Sequence, residues 1–148
     1  MVTYQLEKYI DCLDELKEIY PEHYEELSVT KSFELEMDYE AYNKIDSVGA
    51  LKVVTCREDK KLIGYIIYTI SPHLHYKSCI TAFEDLYFVR KTHRKGRIGI
   101  KLFQYAEKVL KELGINRIIY STKVHLDNSR LFEYLGYAHT DKLYSKLL

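Results

Sequence analysis

The stretch that decides the fold runs from Glu84 to Glu107 and reads EDLYFVRKTHRKGRIGIKLFQYAE. Its opening belongs to a strand predicted over Ile80 to Val89 (ITAFEDLYFV), rich in aromatic and apolar side chains. Its end starts an amphipathic helix. Ile98, Ile100, Leu102, Phe103, Ala106, Val109, Leu110 and Leu113 form one apolar stripe, Glu107 and Lys111 an i,i+4 pair, and Gly114 the stop. Between them, Arg90–Arg97 packs five Lys/Arg and one His into eight residues. A helix N-terminus offers unpaired N–H groups and the positive end of the dipole, and nearby glycines let a phosphate approach. Cationic side chains complete a pyrophosphate cradle. Neither G-x-x-x-x-G-K-[ST] nor G-x-G-x-x-G is present, so this is not a Walker or dinucleotide loop. A solvated basic turn is the plainer alternative.

Upstream, Tyr4 to Tyr20 reads as an amphipathic helix through Leu6, Tyr9, Ile10, Leu13, Leu16, Ile19 and Tyr20. Pro21 is expected to end it and to open a second short helix over Glu22 to Leu27. Ser32 to Glu36 receives no element, and Tyr39 to Val48 is a further helix before Gly49. Ala50 to Arg57 and Leu62 to Ile70 (LIGYIIYTI) are strands, the second apolar on both faces and hence central. Ser71-Pro72 should break it, leaving 73 to 78 as a loop. The three strands make an antiparallel meander. Arg117 to Thr122, reached across the long helix, should lie parallel beside Ile80–Val89. A short helix over Asn128 to Leu135 and one or two strands within Tyr137 to Leu147 complete the chain. The class is α/β (α+β): a mixed, mostly antiparallel sheet with one splayed parallel pair and helices on both faces.

Length predicts a single domain spanning residues 1–148. A hydrophobic content of 47% with only 2 Pro excludes a disordered chain, and the longest apolar run is far too short for a membrane span. Lys+Arg and Asp+Glu number 22 each, but unevenly. Residues 1 to 48 hold 4 against 13 (−9), and residues 49 to 148 hold 18 against 9 (+9). That split argues against a nucleic-acid-binding surface all round. Cys12, Cys56 and Cys79, odd in number and without a CxxC pair, point to a reducing, cytoplasmic setting and to packing roles. His73 and His75 form an HxH pair without carboxylate or Cys partners at metal-site spacing, so no metal is expected.

Strand, R-x-x-x-x-G with Arg94 and Gly99, amphipathic helix, parallel strand, short helix and Leu135-Gly136-Tyr137 together resemble the GNAT superfamily of N-acetyltransferases. The resemblance covers roughly residues 50 to 148, with 80–114 as the acetyl-CoA motif and 1–48 as an acidic helical segment on the acceptor side. Arg97 departs from the family pattern, standing where its first glycine is expected, with Gly96 one place earlier. Ser71-Pro72-His73-Leu74-His75-Tyr76, HRKGRIG and Tyr144-x-Lys146-Leu147 resemble a branch often encoded by bacteriophages and prophages, which would make the setting a host cytoplasm.

The resemblance implies acetyl-CoA as co-substrate, with its pyrophosphate on the amides of Arg94, Lys95, Gly96, Arg97, Ile98, Gly99 and Ile100. Its pantetheine arm would pair with Phe88, Val89 and Arg90, and an N–H near Val89 would hold the thioester oxygen. A primary amine, on a small molecule or on a protein lysine or N-terminus, would attack directly, without a covalent enzyme intermediate. Glu84 and Asp85 alternate to opposite faces, so one should point to the cleft as general base; Glu84 is preferred, and a structurally paired carboxylate is the alternative. His73, His75 and Tyr76 would line the acceptor side or form a surface loop. The thiolate is commonly protonated in the family by a Tyr that here is Phe132, leaving Tyr137, His125 or unassisted departure. Dimers are common in the superfamily, so a homodimer is open. Two other readings stand beside the enzyme: a degenerate module that binds CoA or a protein without turnover, and a nucleic-acid-binding protein using the 90–97 run.

Overall fold

LIGYIIYTI, apolar on both faces, occupies the middle of the sheet. The computed structural model describes residues 1–28 and 33–148. In chain order the elements are β1 (Val2–Glu7), α1 (Tyr9–Leu27), α2 (Tyr39–Ser47), β2 (Leu51–Glu58), β3 (Lys61–His73) and β4 (Tyr76–Val89). A single 3-10 turn (Lys91–His93), α3 (Ile98–Glu112), β5 (Arg117–Ile119) and α4 (Ser129–Tyr134) follow. The sheet order is β1-β2-β3-β4-β5, antiparallel throughout except for the β4/β5 pair. The expected mixed α/β architecture is the one adopted.

Alternation along β2 and β3 divides the core into two apolar layers. Leu51, Val53, Tyr65 and Ile67 pack with Leu13, Leu16 and Ile19 of α1. Val54, Ile66 and Tyr68 pack with Leu102, Phe103, Ala106 and Leu110 of α3. An ion-pair knot ties β1 to β2. Buried Arg57 donates to both oxygens of Glu7 (3.0 and 3.1 Å), to Glu15 (2.6 Å) and to the Lys60 carbonyl (2.8 Å).

Several elements differ from the sequence-based expectation. Val2–Glu7 is a strand, not the start of a helix: Tyr4 and Leu6 satisfy a period of two as well as one of 3.6, and β2 offers a partner edge. Pro21 does not end α1. A helix-interior proline costs roughly 3 kcal/mol, but α1 is anchored on both sides of it, by Tyr20 set edge-on against Tyr65 and by His23 bonded to the Tyr65 hydroxyl. Pro72 does not end β3, because β3 runs on past its last β2 partner at Thr69 and needs no donor on that side. The loop expected over 73–78 shrinks to a two-residue hairpin turn at Leu74-His75, flanked by the His73/Tyr76 pair. The fifth strand ends at Ile119, and residues 138–148 are exposed and carry no strand among the described residues. Of the Ser32–Glu36 stretch, Ser32 lies outside the described residues, and 33–36 carry no helix or strand.

One irregularity in β4 positions the site. Ile67 pairs with Leu86 but Tyr68 pairs with Glu84, so Asp85 is an extra residue in β4. Ala82, before this bulge, belongs to the α3-side core. Leu86 and Phe88, after it, belong to the α1-side core, whereas Tyr87 and Val89 take the α3 side. A single inserted residue has exchanged the faces.

Candidate active site

β5 accompanies β4 only through Thr81↔Arg117, Ala82↔Ile118 and Phe83↔Ile119. Beyond Phe83, no strand among the described residues pairs with β4 on that side. A cavity of about 420 Å³ opens there. One wall is β4 from Glu84 to Val89, and Ser121, Leu126 and Asn128 face it. Gly96, Gly99 and Ile100 close one end, and His23 and Glu26 of α1 close the mouth. The Arg90 N–H is bonded to the Ile63 carbonyl of β3 (2.8 Å), so by alternation the Val89 N–H and carbonyl face away from β3, into the gap. Gly64 allows this close packing: a Cβ there would lie 2.9 Å from the Phe88 carbonyl oxygen.

At the cavity's end α3 begins without a side-chain cap, since Arg97 at the N-cap position supplies none. Its first-turn amides point to the opening. Gly96 turns the chain with φ +84°, which favours glycine, and beside Gly99 an added Cβ would meet nothing within 4 Å. Such a helix start fits an anionic group.

Of the residues expected to hold the cofactor, Phe88, Val89, Arg94, Gly96, Gly99 and Ile100 line the cavity, while Arg90, Lys95, Arg97 and Ile98 do not. Arg94, though exposed, is paired rather than free. Its Nε donates to the Val89 carbonyl (2.7 Å), its Nη2 donates to both oxygens of Glu26 (2.9 and 2.7 Å), and the guanidinium lies over the Phe88 ring. Lys91 also pairs with Glu26, and Arg90 with Glu22. The acidic N-terminal third and the basic loop therefore meet as ion pairs across the mouth. Glu22, Glu26 and His23 carry no sequence signal for this, because the partners of the two carboxylates lie 68 residues away and that of His23, Tyr65, lies 42 away.

Glu84 and Asp85 both border the cavity. The Glu84 carboxylate accepts from the Ser121 N–H (3.1 Å) and hydroxyl (3.0 Å), spanning the gap at its root. Burial raises its pKa above the usual carboxylate range, and the Ser121 bonds only partly offset this. Asp85 turns the other way and accepts a hydrogen bond from Tyr42 of α2. Beside Phe88, His23 is buried with its ring stacked on the phenyl ring and Nδ1 2.7 Å from the Tyr65 hydroxyl. Burial lowers its pKa to about 4.

His73 and His75 are not at the cavity, contrary to expectation. They sit at the tip of the β3–β4 hairpin, packed on each other and on Tyr76; His73 lies five residues along β3 from Tyr68, the partner of Glu84, roughly 17 Å at a strand's rise per residue. Among the described residues no group of three or more His, Cys, Asp or Glu could hold a metal. Burial pushes the Cys12 and Cys56 thiols up to about 12, so neither is a thiolate. Phe132 is buried among Tyr87, Phe103, Tyr120 and Tyr137. Tyr137 faces a separate hollow beside Glu107, and His125 donates to the Glu26 carbonyl on the rim (3.0 Å). Neither lines the cavity, whereas Tyr87 does.

Comparison with known proteins matches residues 11–137 to the family model described as acetyltransferase (GNAT) family. Curated protein sequences give no significant match. Solved structures do. A ribosomal-protein-alanine N-acetyltransferase from Brucella melitensis biovar Abortus 2308 superposes with a TM-score of 0.74 at 16% identity, over 100% of this chain and 99% of that one. A protein from Clostridium acetobutylicum described as a predicted acetyltransferase, solved with acetyl-CoA, gives 0.72 at 15% identity over 99% and 96%. Glucosamine-6-phosphate N-acetyltransferase from Arabidopsis thaliana gives 0.72 at 18% over 98% of each. At these identities the likeness is one of fold.

Proposed function

This chain belongs to the GNAT acetyltransferase family, and from that premise we propose that it moves an acetyl group from acetyl-CoA to a primary amine by direct attack in a ternary complex. The observation that carries this is the cavity between β4 and β5, ending on the uncapped start of α3. The α3 amides would hold the pyrophosphate, and the gap-facing edge of β4 the pantetheine arm. The Val89 N–H is placed to hold the thioester oxygen. Acetyl-CoA supplies an activated acyl group; the chain's residues orient it and manage protons. Glu84, with its raised pKa, is the general base that takes the amine's proton. Asp85, on the α2 side with Tyr42, faces an incoming ammonium. These two carboxylates favour a cationic acceptor, on a small molecule or a protein lysine. The superfamily resemblance suffices here; the comparisons offer no support for the phage or prophage branch. No helix among the described residues is long and apolar enough to cross a membrane, and we place the reaction in the cytoplasm.

The test uses the purified chain with acetyl-CoA and a panel of n-butylamine, spermidine, kanamycin and a lysine-containing peptide, following free thiol. Saturable, amine-dependent thiol release with cationic acceptors preferred is the expected result. Failure to bind acetyl-CoA at micromolar concentration would refute the reading. Binding without thiol release selects the CoA-binding module instead, which Phe132 and Arg97 favour. Nucleic-acid binding is disfavoured because Arg90, Lys91 and Arg94 are spent on Glu22 and Glu26.

A further inference from the structure

We propose that Tyr87 is the catalytic acid that supplies a proton to the departing thiolate, held in place by Asn128 and by the Ser121 carbonyl. This rests on the acetyl-transfer reading. A thioester that gives up its acyl group leaves a thiolate, and an ordinary thiol has a pKa near about 8.5, so a donor speeds its departure at neutral pH.

The cavity's groups narrow the choice. Besides Lys123, whose charge acts on Glu84, its lining holds one Tyr, one Ser and one His among the described residues: Tyr87, Ser121 and His23. The Ser121 hydroxyl is committed to a carboxylate, that of Glu84, whereas the Tyr87 hydroxyl donates only to a neutral carbonyl that an anionic sulfur can displace. His23 is neutral at physiological pH, and its Nδ1 is taken by Tyr65.

Tyr87 leaves β4 within the stretch that β5 does not pair, and its hydroxyl crosses the gap. That hydroxyl donates to the Ser121 carbonyl and accepts from the Asn128 side-chain amide, at 3.1 Å each. The ring is gripped edge-to-face by Phe103 and Phe132, with centroids at 5.5 and 5.8 Å. Burial raises the phenol's pKa and keeps it protonated through neutral pH. Glu84 and Tyr87 thus converge on one residue: the carboxylate takes the Ser121 N–H and hydroxyl, and the phenol gives to its carbonyl. An acceptor and a donor of protons sit on either side of one residue, Ser121, on the wall of the gap that faces β4.

The step balances. The ammonium first loses one proton to solvent; the neutral amine nitrogen then bonds to the acyl carbon and gives a second proton to Glu84. The carbon–sulfur bond breaks with its electron pair on sulfur, which takes the Tyr87 proton. The phenolate regains a proton from solvent as Glu84 releases one.

The test is Tyr87→Phe in the full chain, assayed with acetyl-CoA and the best amine of the panel above, with acetyl-CoA affinity measured by calorimetry. The ring stays in its aromatic cluster, so the melting temperature should hold. The expected result is a kcat loss of roughly 10- to 100-fold, toward the low end of general-acid effects, with Kd for acetyl-CoA within about twofold. Asn128→Ala should lower kcat in the wild-type background and add nothing to Tyr87→Phe, because a positioning residue loses its effect once the group it positions is gone. Unchanged kcat in Tyr87→Phe, additive losses in the double variant, or a Kd that worsens as much as kcat falls would each overturn the proposal while acetyl transfer stands. A wild type that binds no acetyl-CoA overturns both.

Discussion

Gly64→Ala is the sharpest probe of how the sheet serves the cavity. The new Cβ would stand 2.9 Å from the Phe88 carbonyl oxygen, 3.0 Å from a Val89 methyl and 3.3 Å from the Val89 Cα. Ordinary contact begins near 3.4 Å, so β4 must retreat by about 0.5 Å. Two of the three obstructing atoms are backbone and cannot rotate away. Overpacking of this kind costs about 1–3 kcal/mol, a fall in Tm of roughly 2–10 °C for a chain of this length. The displaced segment carries the Val89 N–H. If 1 Å of misplacement costs on the order of 100-fold, half of that predicts a roughly 10-fold loss in kcat/KM for acetyl-CoA. Thermal melts and initial rates on the same preparation read both quantities. A variant that melts lower yet keeps full kcat/KM would show that the Phe88–Val89 edge does not position the acyl group. One that matches wild type in both would refute the packing argument itself.

Three further outcomes follow from groups described above. Glu84, with its pKa raised in the fold, should give kcat/KM an acid limb above the ordinary carboxylate range, and Glu84→Gln should abolish that limb together with most of the rate; a limb unchanged in the variant assigns the base elsewhere. His23, with its folded pKa of about 4 against 6.5, is stabilising while neutral, so its contribution is complete above pH 6.5 and is lost as pH falls from 6.5 through about 4, by about 3 kcal/mol in all. Urea unfolding across that window should show the loss in wild type and a shallower slope in His23→Phe; equal slopes would contradict it. Arg57→Ala leaves the largely buried Glu7 carboxylate without its partner and should cost about 3 kcal/mol, and a measured loss below about 1 kcal/mol would mean that water satisfies Glu7 instead.

The strand–loop–helix segment, the parallel β4/β5 pair and the opposite-facing Glu84 and Asp85 were legible because each rests on local pattern: period two, period 3.6 and a charge run between them. Asp85 shows where that reading stops. Alternation counted back from Phe88 puts Glu84 on the α1 side, and only the bulge, which no residue type announces, returns it to the Ala82 side. Pro21 misled because a local breaking signal was outweighed by Tyr20 and His23 gripping Tyr65, a contact across more than 40 residues. Tyr4 and Leu6 fitted both periods, and only the neighbouring edge of β2 decides between them. His73 and His75 attracted attention as chemistry-bearing types, yet strand length carries them away from the cavity. Asn128 was hidden for the converse reason: a polar residue at a helix start looks structural until its amide is seen to meet the Tyr87 hydroxyl across the gap.

The ion pairs at the cavity mouth make ligand capture an exchange. Arg94 already has an anion of its own in Glu26, whose side chain is only 9% exposed. A phosphate that binds this guanidinium must share it with that carboxylate or displace it, so its affinity is tempered by an attraction already made. Salt weakens both attractions, which flattens the ionic-strength dependence that so basic a loop would otherwise impose. On the acetyl-transfer reading, the same carboxylate would wait beside the vacated cation at the end of each cycle, so what tempers the hold on an incoming cofactor would help to release a spent one.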